Sequence, residues 1–270
     1  MDWKIFKISE IPEEDLDIEF ARFKNQHIKI TELFSKDSLQ VKLFFKNCKT
    51  PLEYINKVLL KIKYPLDILQ RPTDFHYYQA FRKYPTKCIL SYRKETDYWQ
   101  FAWETAWLGY GDRQGVFESS LAPHCEDSSI LLHTGMLLCG VNSYWIIGQV
   151  FEDNTFLSGH AFNICKLDDY YRLVESTFDK PIVSINKLPI VDINKSKWKV
   201  GNFTYEGFLM LKNLDEIWIR KDLVSELVGS LIPFKIVFKN ILARYMLLAR
   251  VRQKEKVKKL RENFAKLIEI

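Results

Sequence analysis

The sequence predicts an α+β fold in which helices pack on one side of an antiparallel sheet. Three observations predict it. In residues 50–64 and 96–110 apolar residues recur at three- and four-residue spacing, the spacing of a helix face. Beyond Gly140 the chain turns to β-rich runs separated by short polar turns. From about Asp222 it reads as helical again, to residue 270.

Residues 1–48 mix strand-like pieces, "HIKITELF" and "LQVKLFF" among them, with charged turns, and are expected to form an N-terminal extension. In "TPLEYINKVLLKIKY", Thr50 suits an N-cap, Pro51 the first helical position and Glu53 the third, where it can reach back to the cap. Leu52, Ile55, Leu59 and Ile62 then make one apolar face, and Tyr64-Pro65 should end the helix. Residues 66–95 are proline-punctuated and aromatic, with little periodicity. Residues 96–110 read as a helix with Trp99, Trp103, Ala106 and Trp107 on one side. Core packing is the ordinary reading of that stripe, and lining a substrate cleft is the functional one. Gly109, Gly111 and Gly115 open a loop up to Pro123, and "CEDSSILLHTGMLL" reads as a buried helix stopped near Gly140. "NSYWIIGQVF", "SGHAFNICKL" and "YYRLVESTF" read as strands joined through "EDN" and "LDD", and "KPIVSI" and "NFTYEGFLML" are expected to extend the sheet. The terminal helical stretch should bend near Pro233.

Composition narrows the class. The chain has 270 residues, 47% hydrophobic, 14% aromatic and 27% charged, enough apolar content for a packed core and too much for disorder. Its five cysteines are odd in number, irregularly spaced and without a CxxC, so neither a disulfide framework nor a paired-ligand zinc site is indicated. The N-terminus carries acids and no long apolar stretch, unlike a signal peptide, and no uncharged apolar run approaches the roughly 18 residues a membrane span needs. A cytoplasmic protein with reduced thiols is expected.

The chemistry is suggested by "APHCEDSSILL". A cysteine at a helix start gains from the backbone N–H groups and the helix dipole, both of which favour thiolate. Glu126 and Asp127 fit the first turn and are expected to point away from the sulfur, since their charge opposes a thiolate. His160, in "SGHAFNI", lies 35 residues further on, and Glu175, in "YRLVESTFD", another 15. That interval allows a strand, a tight turn and a return, so His160 and Glu175 can sit side by side on paired strands. Glu175 would then orient the imidazole while its other nitrogen faces Cys125, the base-plus-orienter logic of a catalytic triad. Each residue also has a bland reading. Cys125 alone is a buried thiol, His160 a hydrogen-bonded structural histidine, Glu175 a strand-end acid. Their order raises the catalytic reading above these. His124 is too close in sequence to serve as base, His133 reads as packing or surface, and Cys139 and Cys165 as small core hydrophobes. For an oxyanion donor beside the Cys125 N–H, Gln100, Trp103, Gln114 and Tyr78 are candidates.

"CEDSSILL…GHAFNI…YRLVEST" resembles the transglutaminase-like cysteine peptidase superfamily. Its members carry a Cys at a helix start followed by acids, then a "HaW"-type strand and a "DpT"-type strand. Here Ala161-Phe162 follows the histidine, and Glu175-Ser176-Thr177 takes the place of the commoner Asp-Pro-Thr. "TPLEYINKVLLKIKYPLD" and "WETAWLGYGD" resemble the stretches that precede the core. The family's "GDCED" is interrupted here, since "RQGVFESSLAPH" stands between Asp112 and Cys125. The resemblance covers roughly residues 50–180. It implies a papain-like, transglutaminase-like core with its nucleophile helix on an antiparallel sheet, spanning 49–221. Residues 1–48 would be an N-terminal extension and 222–270 a basic helical tail. It further implies a thiol-dependent amide-bond hydrolase, a cysteine peptidase, acting on a protein or peptide through Cys125, His160 and Glu175. No metal or organic cofactor is required. A protein-glutamine transamidase, or a non-catalytic binding module on the same fold, is the alternative. The tail "ARVRQKEKVKKLRENFAKLIEI" is strongly basic. A solvated helix end is its ordinary reading and an anionic partner its functional one, with no nucleic-acid-binding motif to favour that polymer.

Overall fold

The computed structural model describes residues 1–18, 27–62, 99, 101–109, 125–178, 180–225 and 234–250. In chain order its elements are β1 (Trp3–Lys7), α1 (Leu39–Phe45), α2 (Pro51–Lys61), α3 (Ala102–Gly109), α4 (Cys125–Leu138), β2 (Ser143–Glu152) and β3 (Thr155–Leu167). There follow β4 (Tyr170–Val174), β5 (Lys197–Val200), β6 (Phe203–Lys212), β7 (Glu216–Arg220), α5 (Lys221–Ser225) and α6 (Phe234–Arg250). The fold is α+β. All the strand pairings are antiparallel, in one sheet ordered β1-β7-β6-β2-β3-β4, with β5 paired to β6.

The turns explain the central strands. β2 and β3 are joined through Asp153 and Asn154, both at positive φ, the backbone of a tight hairpin whose twist matches its strands. Asp168, also at positive φ, turns β3 into β4. Gly140 at φ +74° stops α4 and releases the chain toward β2. The long helix α4 lies on β2 and β3, with α2 and α3 beside it.

α2 begins as its sequence predicts: Thr50 accepts from the Glu53 N–H, and the Glu53 carboxylate accepts from the Thr50 N–H in return. Ile55, Leu59 and Ile62 are buried, together with Val58. Two expected strand-like pieces are helical instead. Residues 30–34 form a 3-10 turn and "LQVKLFF" is α1, capped by Ser38, whose hydroxyl accepts from the Val41 N–H. Val41, Phe44 and Phe45 are buried, and their three- and four-residue spacing is that of a helix. "NFTYEGFLML" extends the sheet as β6, whereas the "KPIVSI" segment leads into a 3-10 turn at Ile185–Lys187.

Both ends of the described chain share the central apolar core. β1 pairs with β7, and its Trp3 is buried and stacks near Trp198. α6 buries Val237, Phe238, Ile241, Leu242, Tyr245 and Met246, one helical face, against the same core, and its Phe234 meets Phe6 of β1 edge-on. Leu247 is exposed. Pro233 and the basic residues beyond 250 lie outside the described residues. Among the described residues no helix is long and apolar enough to cross a membrane.

Gly148 fixes the sheet's closest approach. It pairs with His160 on β3 and Gly207 on β6, beside a register shift, and a Cβ there would overlap the Glu206 carbonyl. Gly148→Ala should therefore cost about 3 kcal/mol and lower Tm by about 10 °C in thermal unfolding. A Tm within about 2 °C of the parent would show that β6 can give way.

Candidate active site

Cys125 is the first residue of α4 and is 1% exposed. A side-chain clamp sets the helix start on the sheet. The Ser129 hydroxyl donates to the Glu126 carbonyl at 2.9 Å and accepts from the Trp145 indole N–H of β2 at 2.8 Å. The Asn163 amide of β3 donates to the Ser129 carbonyl at 3.1 Å. The helix start is thus tied to both central strands within one turn of Cys125.

The strand register brings the next two residues together. Asn163 pairs with Val174, so one step on, Glu175 comes level with Phe162 and reaches diagonally to His160 on the same face. The His160 Nε2 to Glu175 Oε2 distance is 2.7 Å, and both side chains are buried. Glu175 is fully committed. Its Oε2 also accepts from the Tyr205 hydroxyl of β6 at 3.3 Å, and its Oε1 accepts from the Thr177 N–H at 3.1 Å and the Thr177 hydroxyl at 2.7 Å. The predicted "EST" segment therefore folds its own threonine onto its own carboxylate. His160 also hydrogen-bonds the Cys125 side chain, which leaves Nδ1 for the sulfur because Nε2 is taken by Glu175. The structure thus brings Cys125, His160 and Glu175 into one connected chain.

Two buried histidines show what the carboxylate does. Burial alone drives the His133 pKa down to about 3, and its Nδ1 meets only the Ser143 hydroxyl, at 2.9 Å. Burial opposes charge at His160 too, but the Glu175 carboxylate and the Cys125 sulfur outweigh it and push the pKa up to about 10. Burial would raise Glu175, yet the charge and hydrogen bond of His160 and the two bonds from Thr177 hold it below its ordinary value. Burial and the neighbouring Glu175 send Tyr205 well above the usual phenol range, so it stays a donor.

The first-turn acids depart from expectation. Glu126 and Asp127 are each 1% exposed, and Glu126 does not point away from the sulfur. Cys125 Sγ donates to Glu126 Oε2 at 3.3 Å, and the Tyr245 hydroxyl of α6 donates to Glu126 Oε1 at 2.6 Å. That hydroxyl lies 3.9 Å from Cys125 Sγ. The correction is physical: the tyrosine O–H supplies a partner that makes an inward carboxylate tolerable. Tyr205 and Tyr245 were not identified from sequence. The alternation of Phe203 and Tyr205 marked a buried strand face but not its carboxylate partner, and nothing local marked Tyr245.

Trp99 is buried and packs edge-on to both Trp145 and Tyr245, so it belongs to the core beside the site. Trp103 is partly buried and stacks on Phe101. Cys165 is buried and Cys139 half-buried. His124, Tyr78, Gln100 and Gln114 lie outside the described residues. Among the described residues no group of His, Cys, Asp and Glu side chains is arranged to hold a metal ion. No protein-family model, no curated protein and no solved structure matched the chain.

The buried pair predicts a pH signature. Folding raises His160 from 6.5 to about 10, so its stabilisation is complete below pH 6.5 and lost as pH climbs through 10. Folding lowers Glu175 below 4.5, so its stabilisation is complete above pH 4.5 and lost as pH falls through the lower folded value. The pair is thus at full strength between pH 4.5 and 6.5. Glu175→Gln, which leaves His160 without its charge partner, should cost about 3–5 kcal/mol in urea unfolding and flatten both flanks of the stability–pH curve. Parallel curves for parent and variant would contradict the pair's ionisation.

Proposed function

We propose that this chain is a thiol-dependent acyl-transfer enzyme that hydrolyses amide bonds, built on a papain-like, transglutaminase-like core. The observation that carries the reading is the connected chain from Cys125, at the start of α4, through His160 to a fully hydrogen-bonded Glu175. The resemblance of "CEDSSILL…GHAFNI…YRLVEST" to the transglutaminase-like cysteine peptidases supports the same assignment.

In this reading His160 is already the imidazolium that Glu175 holds, and Cys125 loses its proton to water to give the thiolate that pairs with it. The thiolate attacks the substrate carbonyl carbon, and the carbonyl electron pair moves to oxygen. Collapse breaks the C–N bond as His160 gives its proton to the leaving amine, and Cys125 is left as a thioester. His160 then takes a proton from water, whose oxygen attacks the thioester and frees the acid and the thiol. Glu175 keeps Nε2 occupied throughout, so that the remaining nitrogen always faces sulfur. Protein or peptide is the substrate class this chemistry suits.

The burial of Cys125 favours a second reading, a binding module that retains the fold without turnover. The two are separated by trapping the acyl-enzyme. Incubation with a library of peptide amides should leave a hydroxylamine-labile mass addition on Cys125. Cys125→Ala should remove it, and His160→Ala should slow turnover by about 10²–10⁴-fold. Absence of both adduct and cleavage, with the parent protein folded, would favour the binding module.

A further inference from the structure

In the observed arrangement Glu126 of its own helix, Tyr245 of α6 and His160 of β3 face the Cys125 sulfur, with Glu175 and Tyr205 behind the histidine. Asp127 is buried in the same helical turn. These groups pull in opposite directions. An imidazolium favours a thiolate, whereas a carboxylate that accepts the S–H hydrogen bond favours the protonated thiol and repels its anion. Glu126 Oε2 stands 3.3 Å from the sulfur, as a residue adjacent in sequence can only when its side chain is turned back along the helix.

Something must hold it there, and the Tyr245 hydroxyl does, at 2.6 Å from Glu126 Oε1. Charge-assisted O–H···O⁻ bonds of this length are among the stronger ones. The same hydroxyl lies 3.9 Å from the sulfur, on its surface. A substrate carbonyl carbon must come within about 3–3.5 Å of that sulfur to react. Cys125 is 1% exposed and Tyr245 is fully buried, so the observed state offers no such approach. Tyr245 comes from α6, whose buried face also carries Phe238 and Leu242, so its position is set by the packing of a whole helix.

We propose that Glu126, held inward by Tyr245, is a brake on Cys125: it keeps the proton on sulfur and the site closed until α6 withdraws the tyrosine. Once Tyr245 leaves, the carboxylate loses the hydrogen bond on Oε1 that favours its inward position, and it can turn outward. The sulfur proton then leaves to water, and the thiolate pairs with the His160 imidazolium. No bond other than those to this proton changes. The proposal rests on Cys125 being the nucleophile, and it makes the C-terminal helix the regulator of that nucleophile.

The test is the rate at which iodoacetamide alkylates Cys125 in the full chain at neutral pH, read by peptide mass mapping. Glu126→Gln removes the charge, and Tyr245→Phe removes one oxygen while keeping the ring against Trp99. Each variant should react about ten-fold faster than the parent, because the Glu126 charge is removed from the sulfur or no longer held against it. Adding His160→Ala to either should abolish the gain. Equal or slower alkylation in Tyr245→Phe, whose packing is conserved, overturns the brake even if Glu126→Gln fails to fold. If His160→Ala leaves alkylation unchanged in the parent and in both variants, the acyl-transfer reading fails with it. If His160→Ala slows the parent but neither variant accelerates, the brake alone fails.

Discussion

An ion pair between His160 and Glu175, sealed from water, is the constraint around which the rest of the site is arranged. Either charge alone in that interior would cost enough to be neutralised, as His133 is. Together they persist only because every acceptor position of Glu175 is filled, by His160, Tyr205 and Thr177. Each of those donors makes a demand on the fold. The His160 contact requires β3 and β4 to keep their register. The Tyr205 contact requires β6 to come close, and the missing side chain at Gly148 permits it. The Thr177 contacts require the chain to turn sharply just after β4.

The same sheet positions the thiol. Trp145 of β2 and Asn163 of β3 both bond to Ser129, so α4 cannot slide along the sheet without breaking buried hydrogen bonds. Holding the helix start also holds Cys125 against His160. With Cys125 as the proposed nucleophile, a displacement of about 1 Å at its sulfur would cost on the order of a hundred-fold in rate, which gives a clamp one turn away a chemical consequence in that reading. Thr134, which donates to the Phe34 carbonyl at 2.8 Å, ties the second half of the helix to the N-terminal segment.

How much of this the sequence disclosed depended on the range of the interaction responsible. α2 was legible because its cap, its proline and its stripe all lie within fifteen residues of one another. The hairpin from β2 to β3 was legible because its turn residues adopt conformations few others tolerate. Cys125, His160 and Glu175 could be picked out because each sits at a fixed place in a local pattern, and the strand register then did the rest. α1 was misread because "LQVKLFF" is apolar enough to suit a strand, and only the Ser38 cap and the Val41–Phe44–Phe45 spacing mark it as helix. The pairing of β1 with β7 joins the two ends of the sheet's sequence, and no local pattern encodes that. Tyr245 meets Glu126 across 119 residues, which is why the inward turn of that carboxylate could not be foreseen.

That last contact changes how the basic C-terminal stretch is to be understood. The stretch carrying seven basic residues among 250–261 reads in isolation as a solvated helix end, or as a surface for an anionic partner. The described helix before it, α6, buries Phe238, Leu242 and Tyr245, and the Tyr245 hydroxyl lies 3.9 Å from Cys125 Sγ. Displacing α6 would cost the burial of that apolar face and also the tyrosine hydrogen bond to the buried Glu126 carboxylate. Under the proposed brake, withdrawal of Tyr245 is for that reason coupled to the outward turn of Glu126, so that opening the site and freeing the thiol would be the same event.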